Sequence, residues 1–101
     1  MQFLVTLYDG TDAEAPARRA ATRPAHLEGV KATVADGKLL FGGPLFGDAQ
    51  TPIGSFLVVE CADRAELDAI IASDPYTKGN VWQKVEVKPT RLVVRDGTIT
   101  P

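Results

Sequence analysis

The chain has 101 residues, of which 45% are hydrophobic and 24% charged, and its formal net charge is −2. Its length fits one domain, its negative charge argues against a nucleic-acid-binding surface, and no apolar stretch approaches the ~20 residues of a membrane-spanning helix. With one cysteine and no signal-peptide pattern at its N-terminus, the sequence predicts a cytoplasmic protein with one domain over residues 1–101.

The N-terminal third predicts a strand followed by a helix-rich segment. Residues Gln2–Tyr8 alternate between an apolar and a mixed face, as in a β-strand that ends at Asp9-Gly10. Residues Ala13–Asp36 favour helix in composition but contain Pro24. Because proline is tolerated best in a first helical turn, two interpretations stay open. Either a helix begins near Pro24, or one longer helix kinks there.

Two strands are predicted in the middle of the chain. Lys38–Phe41 is a short strand, and the Gly42-Gly43-Pro44 sequence after it is typical of a tight turn. Leu45–Pro52 is predicted to be a loop. Ile53–Cys61 then alternates between two faces and is the clearest strand of the sequence.

The C-terminal part predicts a second helix and a fourth strand. The segment Asp63-Arg64-Ala65-Glu66 matches a capping box, in which the aspartate accepts from the glutamate amide and the glutamate reaches back to the aspartate amide. The helix is expected to end before Pro75. Val81–Lys88 alternates like a strand, and Arg91–Val94 is a candidate for an extra strand before a turn at Asp96-Gly97.

The predicted order β-α-β-β-α-β indicates an α+β fold of ferredoxin-like type. Its simplest closed form is an antiparallel four-stranded sheet with two helices on one face. Those helices cover one face only, yet the first and third strands carry apolar side chains on both faces. Because large exposed apolar faces mark interaction sites, we expect the uncovered face to meet a second copy in a homodimer.

Two side chains stand out as candidates for acid–base chemistry. His26 is the only histidine, and histidine alone titrates near neutral pH without perturbation. Asp74 is predicted at the end of the second helix, where a carboxylate opposes the helix dipole. In the predicted topology the start of the first helix lies beside that end, so the two side chains would meet. A carboxylate orients an imidazole and raises its basicity, which makes a general acid–base pair.

Simpler interpretations of these residues stay open beside the catalytic one. His26 is also compatible with a half-buried surface histidine, and Asp74 with a residue that only starts a turn before Pro75. Arg18 and Arg19 are expected to be solvated, and Trp82 to pack at a dimer or barrel edge. Cys61 is expected to be a small buried side chain, since no second histidine is present to activate it.

Four segments resemble the YCII-related (YciI-like) family in order and spacing, from about Gln2 to Pro89. They are Arg23-Pro24-Ala25-His26-Leu27, Gly37-Lys38-Leu39-Leu40-Phe41-Gly42-Gly43-Pro44, Asp74-Pro75-Tyr76 and Val87-Lys88-Pro89. The resemblance implies a dimeric ferredoxin-like α+β barrel with an active site centred on His26 and Asp74. The pocket residues that it implies are Arg23, Gly43, Pro44 and Tyr76.

The resemblance also suggests a reaction class. The family includes a dehydrochlorinase that acts on a chlorinated hydroxyhydroquinone in aromatic degradation, and its fold relatives include muconolactone isomerases. The sequence departs from the family pattern at Ile70, where many members carry tryptophan, and at Thr90, where phenylalanine often follows Lys-Pro. Both differences are expected to reshape the pocket.

Together these observations predict a cofactor-independent lyase or isomerase acting on a small phenolic or carboxylated ring compound. His26 would move a proton, Asp74 would orient it, and Arg23 and Tyr76 would bind oxygen substituents. One histidine argues against a metal site, and no cofactor is expected. The alternative is a non-catalytic dimeric domain for ligand binding or assembly, in which the same pair only joins two helix ends.

Overall fold

The computed structural model describes residues 1–101, and four of its strands form one antiparallel sheet. The elements in chain order are β1 (Gln2–Asp9), α1 (Ala15–Ala35), β2 (Leu39–Phe46), β3 (Pro52–Glu60), α2 (Arg64–Ser73), α3 (Pro75–Lys78), β4 (Trp82–Thr90), β5 (Val94–Arg95) and β6 (Thr98–Ile99). The main sheet has the order β2-β3-β1-β4, with every neighbouring pair antiparallel. This arrangement confirms the predicted ferredoxin-like fold.

The hydrophobic core lies between the sheet and α2. Alternate side chains of β1 and β3 point toward the helices, and two residues of α2 pack onto them. The buried cluster consists of Phe3, Val5, Leu7, Leu57, Val59, Cys61, Leu67, Ile71, Tyr76, Val81 and Trp82. Full burial of one large aliphatic side chain stabilises the fold by about 1.5–3 kcal/mol. The core therefore fixes the sheet and α2 firmly.

The first helix is continuous from Ala15 to Ala35, with Pro24 inside it. The structure thus selects the longer of the two helices that the sequence allowed, and it places His26 near the middle of α1 rather than at its start. Ala15 is the only buried residue of α1. The helix therefore stands off from the edge of the sheet, and a cavity lies between them.

The second strand is longer than predicted, because Gly42-Gly43-Pro44 belongs to β2 and forms no turn. Gly42 pairs with Leu57 of β3, and Pro44 lies opposite Ser55. Proline is accepted here because β2 is an edge strand of the sheet, where one side of the backbone needs no ladder partner. The chain reverses only after Phe46.

The start of α2 follows the predicted capping box in part. The Asp63 side chain accepts a hydrogen bond from the Glu66 amide at 2.9 Å, as expected. The Glu66 carboxylate, however, accepts from the amide of Ala62 at 3.0 Å rather than from that of Asp63. Pro75 follows the end of α2 and is the first residue of α3.

The C-terminal residues form a small hairpin outside the main sheet. Strands β5 and β6 pair with each other across Asp96-Gly97, where both residues have positive φ, so the predicted turn is confirmed. The predicted strand at Arg91–Val94 is mostly wrong, because β5 begins only at Val94. None of the helices combines the length and the apolar character needed to cross a membrane.

Replacement of Asp63 tests the assignment of the α2 cap. We expect Asp63→Ala to lower the free energy of unfolding by about 1 kcal/mol, because the Glu66 amide loses its acceptor. Asp68→Ala is the matched control. Asp68 is exposed on the same helix and only accepts from Arg64, a contact worth about 0.3–0.5 kcal/mol. Urea denaturation measures both; equal losses would contradict the capping role.

Candidate active site

A cavity of about 610 Å³ lies between α1 and the edge formed by β2 and β3. It contains five of the six residues that the sequence singled out. They are Arg23, His26, Gly43, Pro44 and Tyr76. The sixth, Asp74, does not line this cavity but lies directly behind His26.

His26 and Asp74 form a close pair at the wall of the cavity. His26 Nδ1 lies 2.8 Å from Oδ1 and 3.1 Å from Oδ2 of Asp74. Both side chains are largely buried, with exposed fractions of 12% for His26 and 16% for Asp74. The sequence predicted this meeting from two helix ends, but the contact joins the middle of α1 to the end of α2.

The Asp74 carboxylate has a second partner in the backbone. Its Oδ1 accepts from the Tyr76 amide at 2.8 Å, so Asp74 is the N-cap of α3. A carboxylate is favourable at a helix N-terminus, so the expected conflict with the α2 dipole is offset by α3. Asp74 therefore starts a turn and holds the histidine at once.

The ring of His26 is also held by aromatic contacts. It stacks on Tyr76 with 3.8 Å between ring centroids and 9° between planes. Trp82 meets His26 edge-on at 5.6 Å and Tyr76 at 5.3 Å. Together with Asp74, these rings leave the imidazole little rotational freedom.

The contact with Asp74 determines which ring nitrogen of His26 is left without a hydrogen-bond partner. An ionised carboxylate only accepts hydrogen bonds, so Nδ1 carries the proton in the contact with Asp74. Nε2 has no hydrogen-bond partner within the chain, and His26 lines the cavity. In the neutral ring Nε2 is then an unprotonated base, held in one tautomer by Asp74.

A second polar network was missed by the sequence analysis. Arg19 donates from Nη1 to both oxygens of Asp9, at 2.9 and 3.0 Å, and from Nη2 to Ser55 Oγ at 3.0 Å. Trp82 Nε1 also donates to Ser55 Oγ, at 3.1 Å. The Arg19 side chain is therefore paired and only 11% exposed rather than solvated, and Trp82 belongs to the core of the chain. A serine on the apolar face of β3 was the one readable signal for this network.

The network leaves one donor directed at the cavity. Ser55 Oγ accepts two hydrogen bonds and has no acceptor for its own proton within the chain, while Ser55 lines the cavity. A hydroxyl with both lone pairs engaged has only its proton to offer a ligand. Burial raises the pKa of Asp9, and the hydrogen bonds from Arg19 oppose that rise.

Two further polar groups of the cavity have no partner in the chain. Burial raises the pKa of the Tyr76 hydroxyl, against the opposing effect of Arg19 and Arg23, so Tyr76 stays a neutral hydrogen-bond donor. Arg23 forms neither an ion pair nor a hydrogen bond within the chain. A free guanidinium at the cavity can clamp an anionic oxygen.

Cys61 lies away from this site. It is buried at the end of β3 and does not line the cavity. Burial raises the pKa of its thiol, which favours the protonated and unreactive form. Nowhere in the chain do three or more His, Cys, Asp or Glu side chains converge.

Solved structures share this architecture. The 5-chloro-2-hydroxyhydroquinone dehydrochlorinase of Burkholderia phenoliruptrix, solved with 2,5-dihydroxybenzoquinone, superposes with a TM-score of 0.78 and 27% identity over 90% of this chain and 94% of that one. A proposed antibiotic biosynthesis monooxygenase from Bacteroides thetaiotaomicron matches with a TM-score of 0.59 and 15% identity over 99% of this chain and 95% of the other. The second likeness shows the fold alone.

Comparison with sequence relatives identifies the family of the chain. Protein YciI of Escherichia coli O6:H1 is 30% identical over 97 residues, which cover 90% of this chain and 99% of that protein. The derivative of benzaldehyde biosynthesis cluster protein C of Emericella nidulans is 35% identical over 78 residues, or 69% of this chain and 80% of its own length. The model of the YCII-related domain matches residues 1–91. The chain therefore belongs to the YCII-related family, as its sequence motifs indicated.

Proposed function

We propose that this protein is an enzyme that moves protons on a small phenolic or carboxylated ring compound. The observation that carries the proposal is the contact of 2.8 Å between His26 and Asp74 at the wall of a cavity large enough for such a ring. This contact orients one nitrogen toward the cavity, as proton transfer requires. The likeness to the dehydrochlorinase supports the same class of chemistry.

The reaction that best fits these groups is loss of HCl from a chlorinated hydroxyhydroquinone. His26 Nε2 takes the proton of one ring hydroxyl, and the oxygen becomes a carbonyl as the carbon that bears chlorine accepts a proton. His26, having returned the first proton to that carbon, takes the proton of a second hydroxyl. That oxygen becomes a second carbonyl, a new ring double bond forms to the carbon that bears chlorine, and chloride leaves with the bonding pair. The net change is HCl lost and a hydroxyquinone formed, which needs neither an oxidant nor a reductant.

The other polar groups would bind the oxygens of the ring. Negative charge develops on a hydroxyl as it loses its proton, and donors placed there lower the barrier. Arg23 supplies a free cation, while Ser55 and Tyr76 supply neutral donors. Arg19 lies behind Ser55 and over the Tyr76 ring at 4.8 Å, so its charge strengthens both donors.

The first test removes each member of the pair. We expect His26→Ala to lower kcat by about 10²–10⁴-fold, the usual contribution of a general acid–base group. Asp74→Asn keeps an acceptor for the Tyr76 amide but removes the charge, so its loss should be smaller. The two losses should be strongly non-additive, because both residues serve one proton transfer. Chloride release from chlorinated hydroxyhydroquinone measures turnover.

Asp68→Asn is the control for this test. Asp68 is exposed on α2, and its replacement by asparagine removes the same negative charge away from the cavity. It should leave turnover unchanged. An active His26→Ala protein would overturn the assignment of the proton-transfer group. Tight binding of ring compounds without turnover would instead favour the non-catalytic ligand-binding domain.

The two tyrosines of the chain allow a matched test of the Tyr76 hydroxyl. Tyr76→Phe keeps the ring that stacks on His26 and removes only the donor, so we expect kcat/KM to fall by about tenfold, the worth of one hydrogen bond. Tyr8→Phe makes the same chemical change beside Lys84, away from the cavity. Steady-state kinetics compare the two; equal values for both variants would exclude a role for the Tyr76 hydroxyl.

We also propose that the protein is a homodimer formed through the sheet face opposite the helices. On that face Leu4 and Phe41 flank Val58 in register, and Phe56 follows on β3. Leu4 is 39% exposed in the single chain. Such a face is expected to be covered by a like face, which would close the two sheets into a barrel.

Light scattering should give about twice the 10.8 kDa mass of one chain. Leu4→Lys places a charge in the proposed interface and should shift the protein toward the monomer. Val85→Lys is the control, because Val85 is similarly exposed but lies on the helix side of β4, opposite Leu7. A wild-type protein that is monomeric and soluble at micromolar concentration would refute the dimer.

A further inference from the structure

The cavity is much larger than one aromatic ring requires. A dry cavity of about 150 Å³ suffices to bind benzene. The cavity beside His26 has a volume of about 610 Å³, which falls in the range of pockets for drug-sized ligands. A substituted ring held by His26, Ser55 and Arg23 would therefore occupy only part of it.

The polar and apolar side chains of the cavity are segregated along α1. The charged groups Arg19 and Arg23 precede His26 on the helix, and no charged side chain follows it in the lining. Past His26 the wall consists of aliphatic side chains from α1 and from the start of β2. They are Leu27, Val30, Val34, Leu39 and Leu40, which we call the apolar arm.

The side chains that α1 contributes to the apolar arm lie in line with His26 along the helix. Val30 and Val34 follow His26 at intervals of four residues, so the three side chains lie on one face of α1. The distance along the helix axis from His26 to Val34 is about 12 Å, at 1.5 Å per residue. Strand β2 runs antiparallel to this face, because only the short segment 36–38 connects α1 to it.

Two large apolar side chains at the rim of the cavity are exposed to solvent. Val34 is 52% exposed, and Phe46, at the other end of the cavity, is 60% exposed. Ala15 is the only buried residue of α1, so the helix gains little from packing on the sheet. An apolar ligand lying between α1 and β2 would cover this surface.

We propose that the substrate of this site carries an extended apolar substituent, an alkyl or aryl chain that lies in the apolar arm while its phenolic ring meets His26. The inference rests on the proposed function for the position of the ring. It adds a substrate class: ring compounds with a long hydrophobic tail. The Arg19–Arg23 end would receive oxygen substituents, and the arm would admit no charged group.

The test is a homologous series of phenols with para-alkyl chains: phenol, para-ethylphenol, para-butylphenol and para-hexylphenol. Each buried methylene should tighten binding by about three- to fourfold, so Kd should fall steadily along the series. Isothermal titration calorimetry measures Kd and the heat capacity change, which should become more negative with each methylene. A Kd independent of chain length would overturn the proposal.

Variants of α1 separate the apolar arm from unspecific adsorption. Val30→Trp fills the arm and should abolish the gain from the longer chains while phenol binds as before. Ala32→Trp adds the same side chain to the exposed face of α1, outside the cavity lining, and should leave the whole series unchanged. If Val30→Trp fails to fold, Val34→Asp replaces it, since a carboxylate at the rim of the arm should also weaken the longer chains most. A gain that persists in the arm variants would contradict the assignment.

The His26→Ala protein distinguishes this inference from the proposed function. A chain-length dependence that survives in His26→Ala supports the apolar arm even if no phenol is ever turned over. Turnover of single-ring compounds without any chain-length dependence would refute the arm and leave the proton-transfer function standing. If the wild-type protein shows neither turnover of ring compounds nor a dependence of Kd on chain length, the proton-transfer function and the apolar arm are both refuted.

Discussion

The site depends on one carboxylate oxygen. Oδ1 of Asp74 accepts from the Tyr76 amide and from His26 Nδ1, both at 2.8 Å, so a single atom joins the start of α3 to the middle of α1. Because α1 buries little else than Ala15, this contact and the stacking of His26 on Tyr76 are its principal attachments in that region. The capping hydrogen bond holds Asp74 in place, and Asp74 in turn selects the tautomer of His26. The start of α3 and the orientation of the His26 ring are therefore set by the same residue.

The pair of Asp9 and Arg19 has a comparable role on the other side of Tyr76. Both side chains are nearly buried, with exposed fractions of 5% and 11%. A buried ion pair contributes little net stability, because desolvation offsets most of its Coulomb attraction, although removal of one partner costs about 3–5 kcal/mol. Its effect here is positional. Arg19 fixes Ser55 Oγ from one side and Trp82 fixes it from the other, so the serine proton is left for the cavity.

Local sequence patterns predicted the order of elements, the antiparallel sheet and the meeting of His26 with Asp74, because these depend on periodicity and topology. They did not predict that Gly42–Pro44 would be a strand, since proline is acceptable there only because β2 lies at the edge of the sheet. They also missed Arg19 and Ser55, whose roles depend on the register that brings Asp9, α1 and β3 together. A basic residue on a helix looks solvated until its buried partner is known.

The loose packing of α1 follows from what its inner face offers the sheet. A helix usually gains stability by burying an apolar stripe, yet on the inner face of α1 Arg19, Arg23 and His26 alternate with small or partly exposed side chains. Opposite them Gly42 presents no side chain at all, and a Cβ there would come within 3.3 Å of Phe56 O. Tighter packing would bury charge and remove the cavity. The fold thus concentrates its stability in β1, β3 and α2, which leaves α1 and β2 free to enclose a ligand between them.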